Sequence, residues 1–194
     1  MVTIQNNVID EIIINKSKFI TYMYKVDTSE ECKKIIDSLW EEYKGATHIC
    51  YAYVINNDIR FNDDGEPGGT AGKPILNVLI NNDLNFILCC VVRYFGGIKL
   101  GAGGLVRAYS RCTSEALRCA HLVNLLPGYL VEIKLTYDTI KLLERLNLEI
   151  INKEFNEEIK YTLNIKKSDL DLIKPLGNIN IIKETLINEV FKKD

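Results

Sequence analysis

The spacing of hydrophobic residues at the start of the chain predicts a strand pair, a helix and a second strand pair. The segment EIIINKSKFITYMYKV is rich in β-branched and aromatic residues on both sides of Asn15-Lys16, which predicts two strands and a turn. A helix is expected over 29–44, because Thr28 and Glu31 have capping-box spacing. Its apolar face would contain Cys32, Ile35, Ile36, Leu39 and Tyr43. The segment HICYAYVI (48–55) predicts a strand, followed by a turn at 56–58 and a return strand ending near Phe61.

Two glycine-rich segments interrupt the periodic pattern in the middle of the chain. The first, DDGEPGGTAG (63–72), has four glycines and one proline and precedes a short helix, KPILNVLI. A nearly continuous apolar run, 86–94, predicts a strand buried on both faces. The second segment, FGGIKLGAGG (95–104), is expected to lead into a helix over 105–120. The core-facing positions of that helix would be Leu105, Tyr109, Cys112, Ala116 and Cys119.

The last third of the chain follows a different pattern, which begins after 121–127. Strands are predicted at 129–136, 149–155, 158–165 and 179–190, with helices at 138–147 and after Ser168. This β-α-β-β-α-β order is that of the ferredoxin-like fold. We therefore predict an α+β protein with domains at 1–122 and 128–194.

Composition excludes several classes of protein. Hydrophobic residues make up 47% and charged residues 26%, as in globular proteins. No apolar run reaches the roughly 18 residues of a membrane span, and the N-terminus does not resemble a signal peptide, so we expect a cytoplasmic protein with no membrane partner. The six cysteines form no C-x-x-C pair, and we expect buried thiols rather than a metal site or disulfides.

Charge is unevenly distributed along a chain whose net charge is −2. Residues 1–85 carry 8 basic and 13 acidic side chains. Residues 86–120 carry one acidic side chain, Glu115, and five basic ones: Arg93, Lys99, Arg107, Arg111 and Arg118. A basic segment beside an acidic one is the arrangement that an anion-binding groove requires.

The second glycine-rich segment is a candidate anion site. A strand, a glycine loop and a helix start together present free backbone N–H groups and the positive end of the helix dipole. The candidate residues are Arg93, Gly96, Gly97, Lys99, Gly101, Gly103, Gly104 and Arg107. The glycines fit neither the Walker loop nor the dinucleotide-binding spacing. They could instead only turn the chain, and Arg111 and Arg118 could only pair with Glu115.

The first segment carries the opposite charge. Asp63, Asp64 and Glu66 precede a helix for which Thr70 is a natural N-cap. These carboxylates could hold Mg²⁺, act as general bases, pair with arginines of the second segment, or form a solvated turn. His48 and Tyr94 are candidate accessory residues. We assign no catalytic residue, metal ligand or cofactor.

These segments also carry a family resemblance. DDGEPGGTAGKPIL (63–76) and RYFGGIKLGAGGLVRAY (93–109) resemble the signature of the IMPACT/YigZ family, supported by 17–19, 46–48 and 51–53. The resemblance is strong over 15–120 and agrees only in layout over 128–194. Gly68 departs from the family pattern, in which serine or alanine is expected.

The resemblance implies a fold and a set of partners. It implies a first domain with the ribosomal protein S5 domain 2-like fold and a second, ferredoxin-like domain similar to those of elongation factors. Eukaryotic members restrain a translation-regulating kinase through an additional N-terminal module, which we expect to be absent here, so the kinase role is not carried over. A peptidase label given to some bacterial members lacks a supporting set of metal ligands in this sequence.

Three hypotheses follow. The first is a non-enzymatic binder of RNA, the ribosome or a translation factor, and so a candidate translation regulator, with no DNA partner expected. The second is a Mg-dependent enzyme that binds a nucleotide or phosphorylated metabolite through the 63–107 segments. The third is a protein-partner module whose glycine loops shape a rigid surface.

Overall fold

The computed structural model describes residues 1–190 and contains ten strands and five helices in that range. The strands are β1 (Val2–Ile4), β2 (Val8–Ile14), β3 (Ser17–Lys25), β4 (His48–Ile55), β5 (Asp58–Asn62), β6 (Ile87–Tyr94), β7 (Leu122–Leu135), β8 (Glu149–Phe155), β9 (Ile159–Lys166) and β10 (Gly177–Val190). The helices are α1 (Ser29–Glu42), α2 (Gly72–Asn81), α3 (Gly101–Arg118), α4 (Tyr137–Glu144) and α5 (Leu170–Ile173). The predicted α+β class, with an S5 domain 2-like unit followed by a ferredoxin-like unit, is confirmed. The chain divides into two compact units, at Met1–Val123 and from Asn124 onward. That each unit folds as an independent domain stays a prediction.

The first unit is built on an antiparallel sheet in the order β2-β3-β6-β4-β5. Helices cover both faces of this sheet. On one face Cys89 and Val91 of β6 pack in a cluster with residues of α2 and α3, and on the other Leu88 and Cys90 pack with α1. Because β6 lies between β3 and β4 and under helices on both sides, its residues 87–93 are all buried, as predicted for a strand covered on both faces.

Local patterns specify most elements of the first unit. Thr28 caps α1 by accepting a hydrogen bond from the Glu31 N–H at 3.2 Å, and the Glu31 carboxylate accepts one from the Asp27 N–H at 2.9 Å. Cys32 and Leu39 of the predicted apolar face are buried, and Ile35, Ile36 and Tyr43 pack against the same cluster.

Three predictions in this unit are wrong. Helix α3 begins at Gly101, four residues earlier than expected, since glycines are tolerated in a first turn whose N–H groups are unpaired in any case. Cys119 follows the last helical residue and is exposed, so it does not face the core. Thr70 does not cap α2; its hydroxyl donates to the Pro67 carbonyl at 2.6 Å instead.

The second unit pairs β10 with β7, β7 with β9, and β9 with β8. Numbered within the unit, this is the order fourth, first, third, second of a ferredoxin-like βαββαβ sheet. Strand β7 begins at Leu122, so the segment 122–128, expected to be a connection, is already extended. Helix α5 is a single turn flanked by 3₁₀ turns, shorter than the pattern after Ser168 suggested.

Candidate functional site

The first glycine-rich segment is folded around the carboxylate of Asp63. Its Oδ1 accepts hydrogen bonds from the N–H groups of Ala71 and Gly72 at 2.9 and 2.8 Å, and its Oδ2 accepts one from Gly69 at 2.7 Å. These N–H groups include the first of α2, so Asp63 performs the capping role that the sequence assigned to Thr70. Both oxygens of Asp63 are therefore occupied by the protein's own backbone.

Asp64 fixes the neighbouring strand and histidine. Its Oδ2 accepts from the Ile49 N–H at 2.6 Å, and its carbonyl oxygen lies 2.7 Å from His48 Nδ1. Burial raises the pKa of the Asp64 carboxyl, although the Ile49 hydrogen bond acts in the opposite direction. Because a carbonyl can only accept, His48 Nδ1 carries a proton, and Nε2 is the acceptor in the neutral ring.

Glu66 and Arg93 form a buried ion pair. Their side chains are 4% and 5% exposed, and Arg93 Nη1 donates to Glu66 Oε1. The Tyr109 hydroxyl donates to the same oxygen at 2.8 Å, and burial holds the pKa of that hydroxyl well above its usual value. Glu66 Oε2 faces His48 Nε2 at 3.9 Å. Among residues 1–190, Arg93 Nε is buried without a hydrogen-bond partner.

Arg93 is further held by aromatic and hydroxyl groups. Its guanidinium lies 5.4 Å from the ring centre of Phe19 and 5.6 Å from that of Phe95. Its Nη2 lies 3.5 Å from Ser17 Oγ, which also accepts from the Gly96 N–H at 3.2 Å. The prediction that Arg93 offers its charge to a ligand on the surface is therefore wrong, because the guanidinium is buried and paired with a carboxylate.

The glycines of the second segment have separate roles. A side chain at Gly96 would place Cβ 2.0 Å from the Lys16 carbonyl group, so only glycine fits where this loop crosses the β2–β3 turn. Gly97 and Gly101 have φ of +84° and +69°, which turns the chain into α3. Gly103 and Gly104 lie within the first turns of α3.

The start of α3 combines free backbone donors with positive charge. No side chain of the described residues caps this 18-residue helix, and its first turn holds no acidic residue. Lys99, Arg107 and Arg111 are exposed, and none forms an ion pair within residues 1–190. Arg118, by contrast, pairs with Glu115 at 3.0 Å, as the alternative interpretation of this helix expected.

A cleft of about 380 Å³ lies between the two segments. Its apolar lining comes from Pro67, Phe95, Leu100, Ala102 and Leu105. Thr47, His48, Glu66, Arg93 and Lys99 supply its polar lining. A cleft of this size, lined by apolar and polar side chains in equal number, is large enough for a small ligand.

The structure brings five of the fourteen predicted site residues together in the lining of this cleft. His48, Glu66, Arg93, Lys99 and Gly101 line the same cleft. Thr70 is buried and plays a structural part, and Tyr94 packs in the cluster on the α1 side of the sheet.

Sequence reasoning missed other residues of the site. The sequence predicts Tyr109 only as a core residue, and Phe95, Leu100 and Ala102 only as loop residues. The signal for them was present in the family motif, which includes all four positions. Within residues 1–190 no three His, Cys, Asp or Glu side chains cluster as metal ligands. No helix in that range is long and apolar enough to cross a membrane.

Comparisons with known proteins agree with this picture. The Impact N-terminal domain matches residues 15–117. The IMPACT family member YvyE of Bacillus subtilis (strain 168) is 41% identical over 160 residues, which cover 80% of this chain and 72% of that protein. The IMPACT family member YigZ of Escherichia coli (strain K12) is 44% identical over 110 residues, 54% of each chain. A crystal structure described as that of a hypothetical protein covers 100% of this chain and 98% of its own, with a TM-score of 0.65 and 28% identity. A matching domain over half the chain and a close relative along most of it lead to one conclusion: the chain belongs to the IMPACT family.

Proposed function

We propose that this protein is a non-enzymatic binder of RNA that contacts phosphate groups with the start of α3. The observation that carries the proposal is the combination of uncapped N–H groups at the start of α3 with three exposed cations that form no ion pair within residues 1–190. Lys99 lies just before the helix, and Arg107 and Arg111 lie in its second and third turns. Backbone donors, the helix dipole and basic side chains together favour phosphate, and such contacts bind nucleic acid without reading its sequence. We call these three residues and the first turn of α3 the basic surface.

The other two arginines of the basic segment are each paired with a carboxylate, which leaves Lys99, Arg107 and Arg111 as the candidate phosphate contacts. Arg93 is buried against Glu66, and Arg118 is paired with Glu115, so neither contributes to the basic surface. Arg111 therefore replaces Arg93 in the set of residues proposed to contact phosphate. Ribosomes and ribosome-associated RNA are the first ligands to test, because the family resemblance implies partners in the translation machinery.

The alternative of a Mg-dependent enzyme is less well supported by the geometry. Both oxygens of Asp63 accept backbone hydrogen bonds, Asp64 Oδ2 accepts another, and Glu66 Oε1 accepts from two side chains. A magnesium ion would have to displace several of these bonds, because Mg²⁺ requires carboxylate or water oxygens in octahedral geometry.

A filter-binding titration of ribosomes and mixed single-stranded RNA tests the proposal. Three phosphate contacts predict a slope of log K against log salt of about −2, or an affinity loss of roughly 20-fold between about 50 and 200 mM salt. The Arg107→Gln/Arg111→Gln variant should bind more weakly, and its slope should fall in magnitude by about 1.4.

A matched control has the same charge change on the other side of the sheet. Lys33 and Lys34 are exposed on α1, so the Lys33→Gln/Lys34→Gln variant should keep the affinity and the slope of the wild type. Undetectable binding, a salt-independent affinity, or equal losses in the two double variants would contradict the proposal.

A further inference from the structure

The cleft beside the basic surface has a floor made of hydrogen-bond acceptors. His48 donates Nδ1–H to the Asp64 carbonyl, so in the neutral ring its Nε2 presents a lone pair. Glu66 Oε2 lies 3.9 Å from that nitrogen, while Glu66 Oε1 is occupied by Arg93 and Tyr109. Two acceptors at this spacing can both be satisfied by one N–H₂ group at ordinary hydrogen-bond length from each.

The walls of the cleft are apolar and partly aromatic. Leu100, Ala102 and Leu105 form one side, and Phe95, whose side chain is 45% exposed, offers a ring surface. A flat, unsaturated ring can bury its faces against such walls and stack on an aromatic side chain. The floor and walls together therefore suit a planar heterocycle that carries an amino group.

One part of the cleft lining combines positive charge with backbone donors. Gly101 and Ala102, at the start of α3, line the cleft together with Lys99. Their N–H groups belong to the first turn, where no intrahelical acceptor exists. An anionic group attached to the heterocycle would meet these N–H groups and Lys99. Arg93, whose Nε has no hydrogen-bond partner within residues 1–190, also lines the cleft but is buried against Glu66.

We propose that the cleft binds one nucleotide whose base carries an exocyclic amino group, as adenine and cytosine do. The amino group bonds to His48 Nε2 and Glu66 Oε2, the base lies between the apolar walls, and the phosphate meets the start of α3. Uracil is disfavoured because its carbonyl oxygens would face two acceptors. The inference rests on the proposed function, since the same helix start holds the phosphate. The nucleotide is either free or one unit of a bound RNA.

Calorimetric titration of the full chain with AMP and UMP tests the free nucleotide. AMP should bind at least about fivefold more tightly than UMP, the lower end of the discrimination expected from paired base contacts. The Ala102→Phe variant fills the cleft from an exposed helix position and should weaken AMP at least about tenfold. The Val106→Phe variant, one turn further along α3 and also exposed, should behave as the wild type.

A second variant separates base recognition from blockage of the cleft. His48→Leu removes one acceptor while leaving the basic surface intact, so the preference for AMP over UMP should fall towards unity. For the free nucleotide, equal affinity of the wild type for AMP and UMP would overturn the inference, and so would unchanged AMP binding by the Ala102→Phe variant.

Filter binding of hexameric oligoadenylate and oligouridylate tests the RNA-borne nucleotide. A preference for oligoadenylate that Ala102→Phe abolishes, with the salt slope retained, supports the inference for RNA even if free AMP binds weakly. Salt-dependent binding with equal affinity for both oligomers, unaffected by Ala102→Phe, overturns the inference and leaves the proposed function intact. Preferential AMP binding without salt-dependent RNA binding contradicts the proposed function and supports a nucleotide site in the cleft.

Discussion

The ion pair of Glu66 and Arg93 gives the sharpest prediction about the architecture of the site. Both side chains are at least nine-tenths buried, and Glu66→Gln keeps the shape of the side chain while removing its charge. Arg93 would then be a buried cation with no counter-charge, which costs about 3–5 kcal/mol. Set against the roughly 5–15 kcal/mol that stabilises a typical domain, this is a large loss.

A double-mutant cycle separates this pairing from simple loss of packing. Arg93→Met removes the cation at similar length and should also destabilise, because Glu66 becomes the unpaired charge. In the double variant neither buried charge remains, so its loss should be smaller than the sum of the single losses by at least about 2 kcal/mol. The cycle for Glu115 and Arg118, whose side chains are 35% and 74% exposed, should show coupling of about 0.5 kcal/mol or less.

Trp40 makes the assay specific to the first unit. It is the single tryptophan of the chain and lies on α1. Urea unfolding followed by its fluorescence therefore reports the unit that contains the ion pair, and midpoint shifts at constant slope measure stability. Single losses below about 1 kcal/mol that add in the double variant would refute the reasoning, since an exposed or solvent-screened pair would behave in that way.

Three further predictions concern other parts of the first unit. Gly96→Ala should prevent or severely weaken folding, because Cβ would lie 2.0 Å from the Lys16 backbone, as measured by the yield and the urea midpoint. Asp64→Asn should change the pH dependence of the free energy of unfolding. Because the pKa of Asp64 is raised in the folded state, protonation of this carboxyl favours folding. The wild type should therefore gain stability relative to the variant as the pH falls from about 7 to about 4.5. Native thiol titration should detect one fast-reacting cysteine, Cys119, because the other five are buried.

Each of these predictions has a control or a result that would contradict it. Gly68→Ala meets no atom within 4 Å at a position without positive φ, so it should be neutral or stabilise by up to about 1 kcal/mol. A difference between wild type and Asp64→Asn that is constant with pH would contradict the second prediction. For the third prediction, all six thiols should react in denaturant. Burial raises the pKa of the Cys32 thiol to about 12, so rapid reaction of Cys32 in the native protein would contradict its buried position.

Local patterns in the sequence specified most of the fold. The strand at 48–55, the turn at Asn15-Lys16 and the cap at Thr28 each depend on residues close in sequence, and the structure places them as predicted. The sequence predicts the start of α3 four residues too late, because glycine has a low intrinsic helix propensity. In the structure, packing of the rest of α3 against the sheet outweighs that preference.

The arrangement of the site depended on contacts that no local pattern reveals. Glu66 and Arg93 are 27 positions apart and meet only because β4 pairs with β6 beneath the first segment. Asp63 caps α2 from eight and nine positions away, through a loop whose path cannot be read from its composition. The sequence therefore indicated which residues were charged and near a helix start, but not which charges were already neutralised.

Amide chemical shifts during titration with a short single-stranded RNA test the central claim most directly. We predict saturable shifts of the Gly101, Ala102 and Gly103 amides at low salt, lost at high salt and in the Arg107→Gln/Arg111→Gln variant. The amides at the start of α1, which is already capped by Thr28, should not move. Unshifted amides at the start of α3, while the RNA shifts signals elsewhere in the chain, would contradict the claim that this helix start holds phosphate.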